Sequence, residues 1–151
     1  MRAEDQLAAF IARFTPAIAA CTEDVLAKLR ARMPSATQLV YDNYNALVIG
    51  FGPNERASDA IFSIAIYSRW INLFFLQAVR QRLADPDHLL RGDGTMVRHL
   101  RIDDAATLDD RAVLALIEQS LAQARVPLFQ DAPARIVIRA IAAKWRVRRP
   151  S

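Results

Sequence analysis

Leu7, Phe10, Ile11 and Phe14 recur at the i, i+3, i+4, i+7 spacing of a helix that buries one face. Thr15 and Pro16 follow as a capping hydroxyl and a proline at the first helical position, so a second helix is predicted to start there. Its apolar stripe is Ile18, Cys21, Val25, Leu29 and Met33, and Pro34 stops it. Beyond Pro34 the period changes. Leu39 to Tyr41 and Leu47 to Phe51 are short β-rich runs around the turn-forming Asp42-Asn43-Tyr44-Asn45, and Gly52-Pro53-Asn54 makes a break. Ile61 to Tyr67 and Trp70 to Leu76 are two more apolar runs with only Ser68-Arg69 between them, a spacing that permits only antiparallel neighbours. A β-meander is expected.

Gln77 to Leu83 reads as a short helical turn, and Asp85-Pro86 to Gly94 as a loop. Thr95 to Ile102 predicts a fifth strand. Thr107-Leu108-Asp109-Asp110 reads as an N-cap with acids in the first turn, where they suit the helix dipole. The helix continues through Val113, Leu116, Ile117 and Leu121 to about Arg125, and Pro127 ends it. Ile136 to Ile141 reads as a last strand. The order predicts an α+β fold: a two-layer sandwich in which a mainly antiparallel sheet of five to six strands carries helices from both ends of the chain on one face. No linker divides the chain, so residues 1–151 read as one domain with a basic tail from about residue 142.

A hydrophobic fraction of 53% with 24% charged residues is that of a folded protein. No apolar run approaches a membrane span, Glu4 and Asp5 argue against a signal peptide, and the single Cys21 cannot form an internal disulfide. A cytoplasmic address without membrane contact is expected. The formal charge is +4, but residues 1–75 balance, and from Arg135 onward there are six bases and no acid. The tail Lys144-Trp145-Arg146-Val147-Arg148-Arg149 mixes an aromatic with bases as nucleic-acid contacts do. It equally suits a solubilising terminus whose arginines meet acids on the domain or on a partner chain. With no basic helix or zinc finger elsewhere, the second reading is adopted and nucleic acid is not the expected partner.

For metal, His88 and His99 stand apart and neither has the close His or Cys partner that zinc sites use. Asp103-Asp104 and Asp109-Asp110 fall at turn and helix-start positions, where capping explains them. Cys21 lies on an apolar stripe, the place of an inert thiol, and no serine sits in a nucleophile elbow. No catalytic residue, metal site or cofactor is expected. The most distinctive local feature is Gly92-Asp93-Gly94 followed by Arg98, His99 and Arg101. Amides of a glycine turn can hold an anion, and three cationic or titratable side chains follow; a tight turn feeding a strand explains the same glycines. On a regular strand His99 and Arg101 share one face and Arg98 the other, so the three cannot all enter one pocket. With Leu100 and Ile102 in the core, Arg98 is expected to be partly buried and to anchor the preceding loop, for example through Asp85 or Asp93. Tyr41, Tyr44, Tyr67, Trp70, Phe74 and Phe75 give the meander more apolar surface than one helix layer needs, so a homodimer is expected.

The stretch DPDHLLRGDGTMVRHLRI, Asp85 to Ile102, resembles the signature of the bacterial YdhG-like domain of unknown function. Similarity extends more weakly over the early helices, the aromatic meander and the closing Arg-Arg-Pro tail. The resemblance implies a compact bacterial α+β sandwich. Some relatives are regarded as frataxin-like iron-binding proteins, which hold iron on an acidic helical ridge; the acids offered here are Glu4, Asp5, Glu23 and Asp24. The reading adopted is a non-enzymatic binding module for a small molecule or anion, using Gly92, Asp93, Gly94, Arg98, His99 and Arg101. An iron-binding chaperone is the alternative, and a nucleic-acid accessory role through the tail is the third.

Overall fold

The structure, a computed structural model, describes residues 1–150. Helices α1 (Ala3–Ala12) and α2 (Pro16–Arg32) lead into strands β1 (Thr37–Asp42), β2 (Leu47–Gly52), β3 (Phe62–Ile66) and β4 (Ile71–Phe75). A four-residue helix α3 (Ala78–Gln81), strand β5 (Arg98–Ile102), helix α4 (Arg111–Ala122) and strand β6 (Arg135–Ile141) complete the chain. The strands form one sheet in the order β5-β4-β3-β2-β1-β6. The meander β1 to β5 is antiparallel throughout, and β6 joins β1 in parallel at the far edge. The expected α+β sandwich and mainly antiparallel sheet are present, and the parallel edge strand is the addition.

Register decides which side chains meet. Ile138, Val40, Ile49, Ile64, Leu73 and Leu100 lie opposite one another across all six strands, and all six belong to, or pack on, the core that the helices cover. One residue along, the row Val137, Leu39, Gly50, Ser63, Phe74 and His99 occupies the other face, as the two-residue period requires. That face stays low because its centre is built of small residues. At Gly52 a Cβ would stand 2.9 Å from the Ala60 backbone, so the chain there approaches more closely than any side chain permits.

The helices differ from expectation in two places. In α2 the deeply buried residues are Thr22, Val25, Leu26 and Leu29, with Ile18 and Cys21 only partly covered. Thr22 is tolerated there because its hydroxyl donates to the Ile18 carbonyl at 2.8 Å. The helix expected from Thr107 begins instead at Arg111. Asp104 caps a 3-10 turn, Ala105–Asp109, by accepting from the Ala106 N–H at 2.8 Å, and this turn drives Ala105 and Leu108 into the core. Asp110 then breaks the path with extended backbone before α4.

After β6 the basic tail folds back over the end of β1. Arg148, 7% exposed, donates to Asp42 Oδ1 at 3.2 Å and to the Asn43 carbonyl at 2.6 Å. Arg13 reaches the other Asp42 oxygen at 3.3 Å. The Trp145 indole N–H donates to the Asp42 carbonyl at 3.3 Å, and Arg149 donates to the carbonyls of Ala12 and Arg13 at the end of α1. Burial pushes the Asp42 carboxyl up against the downward pull of Arg148 and Arg13, and burial pushes Arg148 down. Removing one partner strands the other charge in the interior, whereas replacing both with apolar groups of similar size does not. Arg148→Ala is therefore expected to cost about 3–5 kcal/mol in urea unfolding, towards the lower figure because Arg13 remains. The paired change Asp42→Leu with Arg148→Met should recover most of that loss, and equal loss in both chains would contradict the account.

Candidate functional site

The glycine loop is organised from its far end by Arg98. The Arg98 guanidinium donates from Nη1 to the Gly94 carbonyl at 2.6 Å and to the Val97 carbonyl at 2.9 Å. This local turn shortens β5, which starts at Arg98 rather than Thr95. Arg98 therefore anchors the preceding loop through carbonyl oxygens and not through Asp85 or Asp93. Gly92 has φ +110°, a conformation other residues rarely adopt, and the Arg91–His99 bridge beside it is closed by backbone bonds of 2.7 and 2.9 Å.

The six expected site residues are divided by the sheet. Arg98 lies on the helix-covered side with Leu100 and Ile102, opposite Phe75. His99 and Arg101 lie on the other side: His99 packs on the Phe74 ring at 5.3 Å, and Arg101 pairs with Asp103 at 2.9 Å. Gly92, Asp93 and Gly94 are exposed.

On Arg98's own side a second arginine comes into play. Arg82 and Arg98 line a groove of about 290 Å³ walled by Val79, Leu83 and Leu90. Arg82 caps α3 in the left-handed conformation, φ 49°. The groove's one acid is Asp85, whose two oxygens each accept a backbone N–H, from Leu89 and Leu90, at 2.9 Å. Among the described residues neither Arg82 nor Arg98 has a carboxylate partner. Arg82 was missed in the sequence because an arginine after a short helix carries no pattern that tells groove from solvent.

Beside this groove lies a buried polar network. Gln77 donates to the Ala60 carbonyl at 3.1 Å and accepts from the Arg125 N–H at 3.0 Å; Gln81 donates to the Ser120 carbonyl at 3.0 Å. The Arg125 guanidinium reaches Asp59 at 2.6 Å, and Asn54 donates to the other Asp59 oxygen at 3.0 Å. Elsewhere, Cys21 sits half-buried by the turn before α4, where burial first and Asp104 second push its thiol up, away from nucleophilic character. Glu4 and Glu23 line a small recess together with Arg30. Among the described residues no three His, Cys, Asp or Glu side chains gather closely enough to share a metal ion, and no helix is long and apolar enough to cross a membrane.

Compared with known families and proteins, the chain matches no protein-family model, no curated protein and no solved structure.

The Asn54 hydrogen bond, ahead of Arg125 and Arg56, holds the Asp59 carboxyl below its ordinary value of 3.8. A carboxyl lowered by folding stabilises the folded state when ionised, fully so above its unfolded value. That contribution should be present at neutral pH and drain away as the pH falls below 3.8. In denaturant titrations Asp59→Asn should be less stable than the wild type at neutral pH, and the gap should close in acid. A gap independent of pH would refute this.

Proposed function

We propose that the chain is a non-enzymatic binding module that holds a small anion in the groove between α3 and β5, with Arg82 and Arg98 as its cationic contacts. The observation that supports this most is an imbalance of charge: two arginines line the recess, and its one carboxylate is already bonded by backbone amides. Guanidinium forks suit the paired oxygens of phosphate, sulfate or carboxylate. The reading keeps Arg98 from the expected set, places Arg82 where His99 and Arg101 were expected, and gives Gly94 the role of orienting Arg98. The segment resembling the YdhG-like domains, Asp85 to Ile102, contributes Asp85, Leu90 and Arg98 to the groove's lining. The iron-chaperone alternative rests on the resemblance alone.

Melting temperature in phosphate tests the reading. Phosphate strengthens folding generally by exclusion from surfaces, so variants under identical salt are the control. The wild type should gain a few degrees beyond Arg98→Ala, which itself loses about 1–2 kcal/mol with its two carbonyl bonds. Arg82→Gly should melt higher than the wild type in plain buffer, because glycine relieves a left-handed conformation costing about 1 kcal/mol, yet show no phosphate-specific gain. Equal phosphate gains in all three chains would sink the proposal.

A second reading, self-association, is favoured by the sheet face that no helix covers, where Tyr41, Val48, Phe74 and Val137 are only half-buried. A second copy laid on that face covers them. Light scattering at micromolar concentration should report a dimer; monomer alone would overturn it.

A further inference from the structure

The tail is not absorbed by the anion groove, and it builds a cleft of its own. Between the β3–β4 turn and the tail lies a recess of about 390 Å³, within the range of roughly 300–1,000 Å³ usual for small-ligand sites. Its lining includes Tyr67, Ser68 and Trp70 from the turn, Asn45 from the β1–β2 turn, and Arg146 and Val147 from the tail, with no acid among the lining residues. Tyr67 and Trp70 are stacked, ring centroids 5.1 Å apart and planes 25° from parallel, and Trp70 keeps 38% of its surface exposed.

The arginines of the tail divide by role. Arg148 and Arg149 turn inward, to Asp42 and Asn43 and to the last carbonyls of α1. Arg148 also lines the cleft, but its guanidinium is committed to Asp42 and Asn43, so Arg146 is the lining arginine left without a carboxylate partner. Its backbone N–H donates to the Tyr44 carbonyl at 2.9 Å, its guanidinium stands 5.7 Å from the Tyr44 ring centre, and among the described residues it has no carboxylate partner. Arg69, also without a carboxylate partner, sits in the same turn as Ser68 and Trp70. A solubilising terminus would need none of this pinning. The buried Arg148 fixes the backbone on either side, so Arg146 is held beside an aromatic pair instead of sweeping through solvent.

We propose that this cleft is a second binding site, for a nucleobase bearing a phosphate, with the base laid on the Tyr67–Trp70 stack and the phosphate on Arg146. Bases stack on aromatic rings whatever their identity, and the guanidinium fork matches the phosphate oxygens. A free nucleotide and the end of a single strand offer the same chemistry. The site is independent of the anion groove.

Calorimetric titration of the Arg82→Gly chain, in which the first groove is disarmed, separates the outcomes. Adenosine monophosphate, a short oligouridine and inorganic phosphate are the probes. The nucleotide should bind at least about tenfold more tightly than phosphate, and Trp70→Ala should weaken it at least about fivefold, the low end for one stacked base. Arg146→Ala, exposed and remote from the core, should reduce the salt dependence of oligouridine binding by about one counterion, and it stands in should Trp70→Ala fold poorly. Binding of the oligouridine alone assigns the site to a strand end; binding of both admits the free nucleotide. Absence of binding by both nucleotides, phosphate binding as tightly as the nucleotide, or unchanged binding in the substituted chains would overturn the proposal.

Discussion

The Asp42 carboxylate, 1% exposed at the end of β1, dictates where three segments of the chain must lie. An ionised carboxylate taken out of water costs several kcal/mol unless its oxygens meet opposite charge and hydrogen bonds. Arg13 from the end of α1 meets one oxygen and Arg148 from the tail meets the other. The same residue's carbonyl accepts from Ala142 just past β6 and from the Trp145 indole, so main chain and side chain of one position both bind the tail. Arg13 in turn lies 4.0 Å from the Trp145 ring centre. β6 is a half-exposed edge strand that contributes few buried side chains. Its parallel pairing with β1 is continued and locked by these tail contacts.

With the sheet closed at that edge, its one-sided packing places both candidate sites at the margin. The helix-covered face is filled by the cross-strand row from Ile138 to Leu100 and by the stripes of α1, α2 and α4. The opposite face is lowered by Gly50, Gly52, Ser63 and Ala65 and offers little depth. The two recesses proposed as sites form where irregular chain meets the sheet's end or edge. The Asp85–Gly94 segment makes one beside β5, and the tail makes the other beside the β3–β4 turn. Both are lined by side chains whose neighbours are fixed by backbone hydrogen bonds, Arg98 through Gly94 and Arg146 through Tyr44.

Legibility in the sequence followed the range of the interaction. The spacing of Leu7, Phe10 and Ile11 and the Thr15-Pro16 start give α1 and α2, and tight spacing between apolar runs gives the meander, because these are local consequences of period and turn chemistry. Alternation along β5 correctly separates Arg98 from His99 and Arg101. The parallel placement of β6 follows from contacts with residues about a hundred positions earlier, which no local pattern contains. Asp42 reads as a turn residue and Arg148 as a solvated tail residue for the same reason. One signal was there to be used: Asp42 falls in phase with Gln38 and Val40 on the buried face of β1, and an acid in phase with a core demands a buried base. α4 starts later than Thr107 suggests because the Asp104-capped 3-10 turn takes up residues 105–109 to bury Ala105 and Leu108, and Asp110 breaks the path before Arg111.

The basic excess after Arg135 then takes on a different physical meaning from the one its composition suggests. Arg135 pairs with Glu55, Arg148 with Asp42, and Arg149 with helix-end carbonyls, so half of the six bases are committed to holding the fold. A tail so committed is a poor polyelectrolyte. Counterion release along a nucleic-acid backbone scales with the number of free cations brought to the phosphates, and few here are free to track a strand. Any recognition by this end of the chain has to be local, made by one positioned guanidinium beside a stacked aromatic pair, and selective for ligands that carry both a flat ring and an anion. Half of the charge that looks like a binding signal in the sequence is spent on the fold, and the proposed cleft site depends on the buried Arg148 holding Arg146 in place.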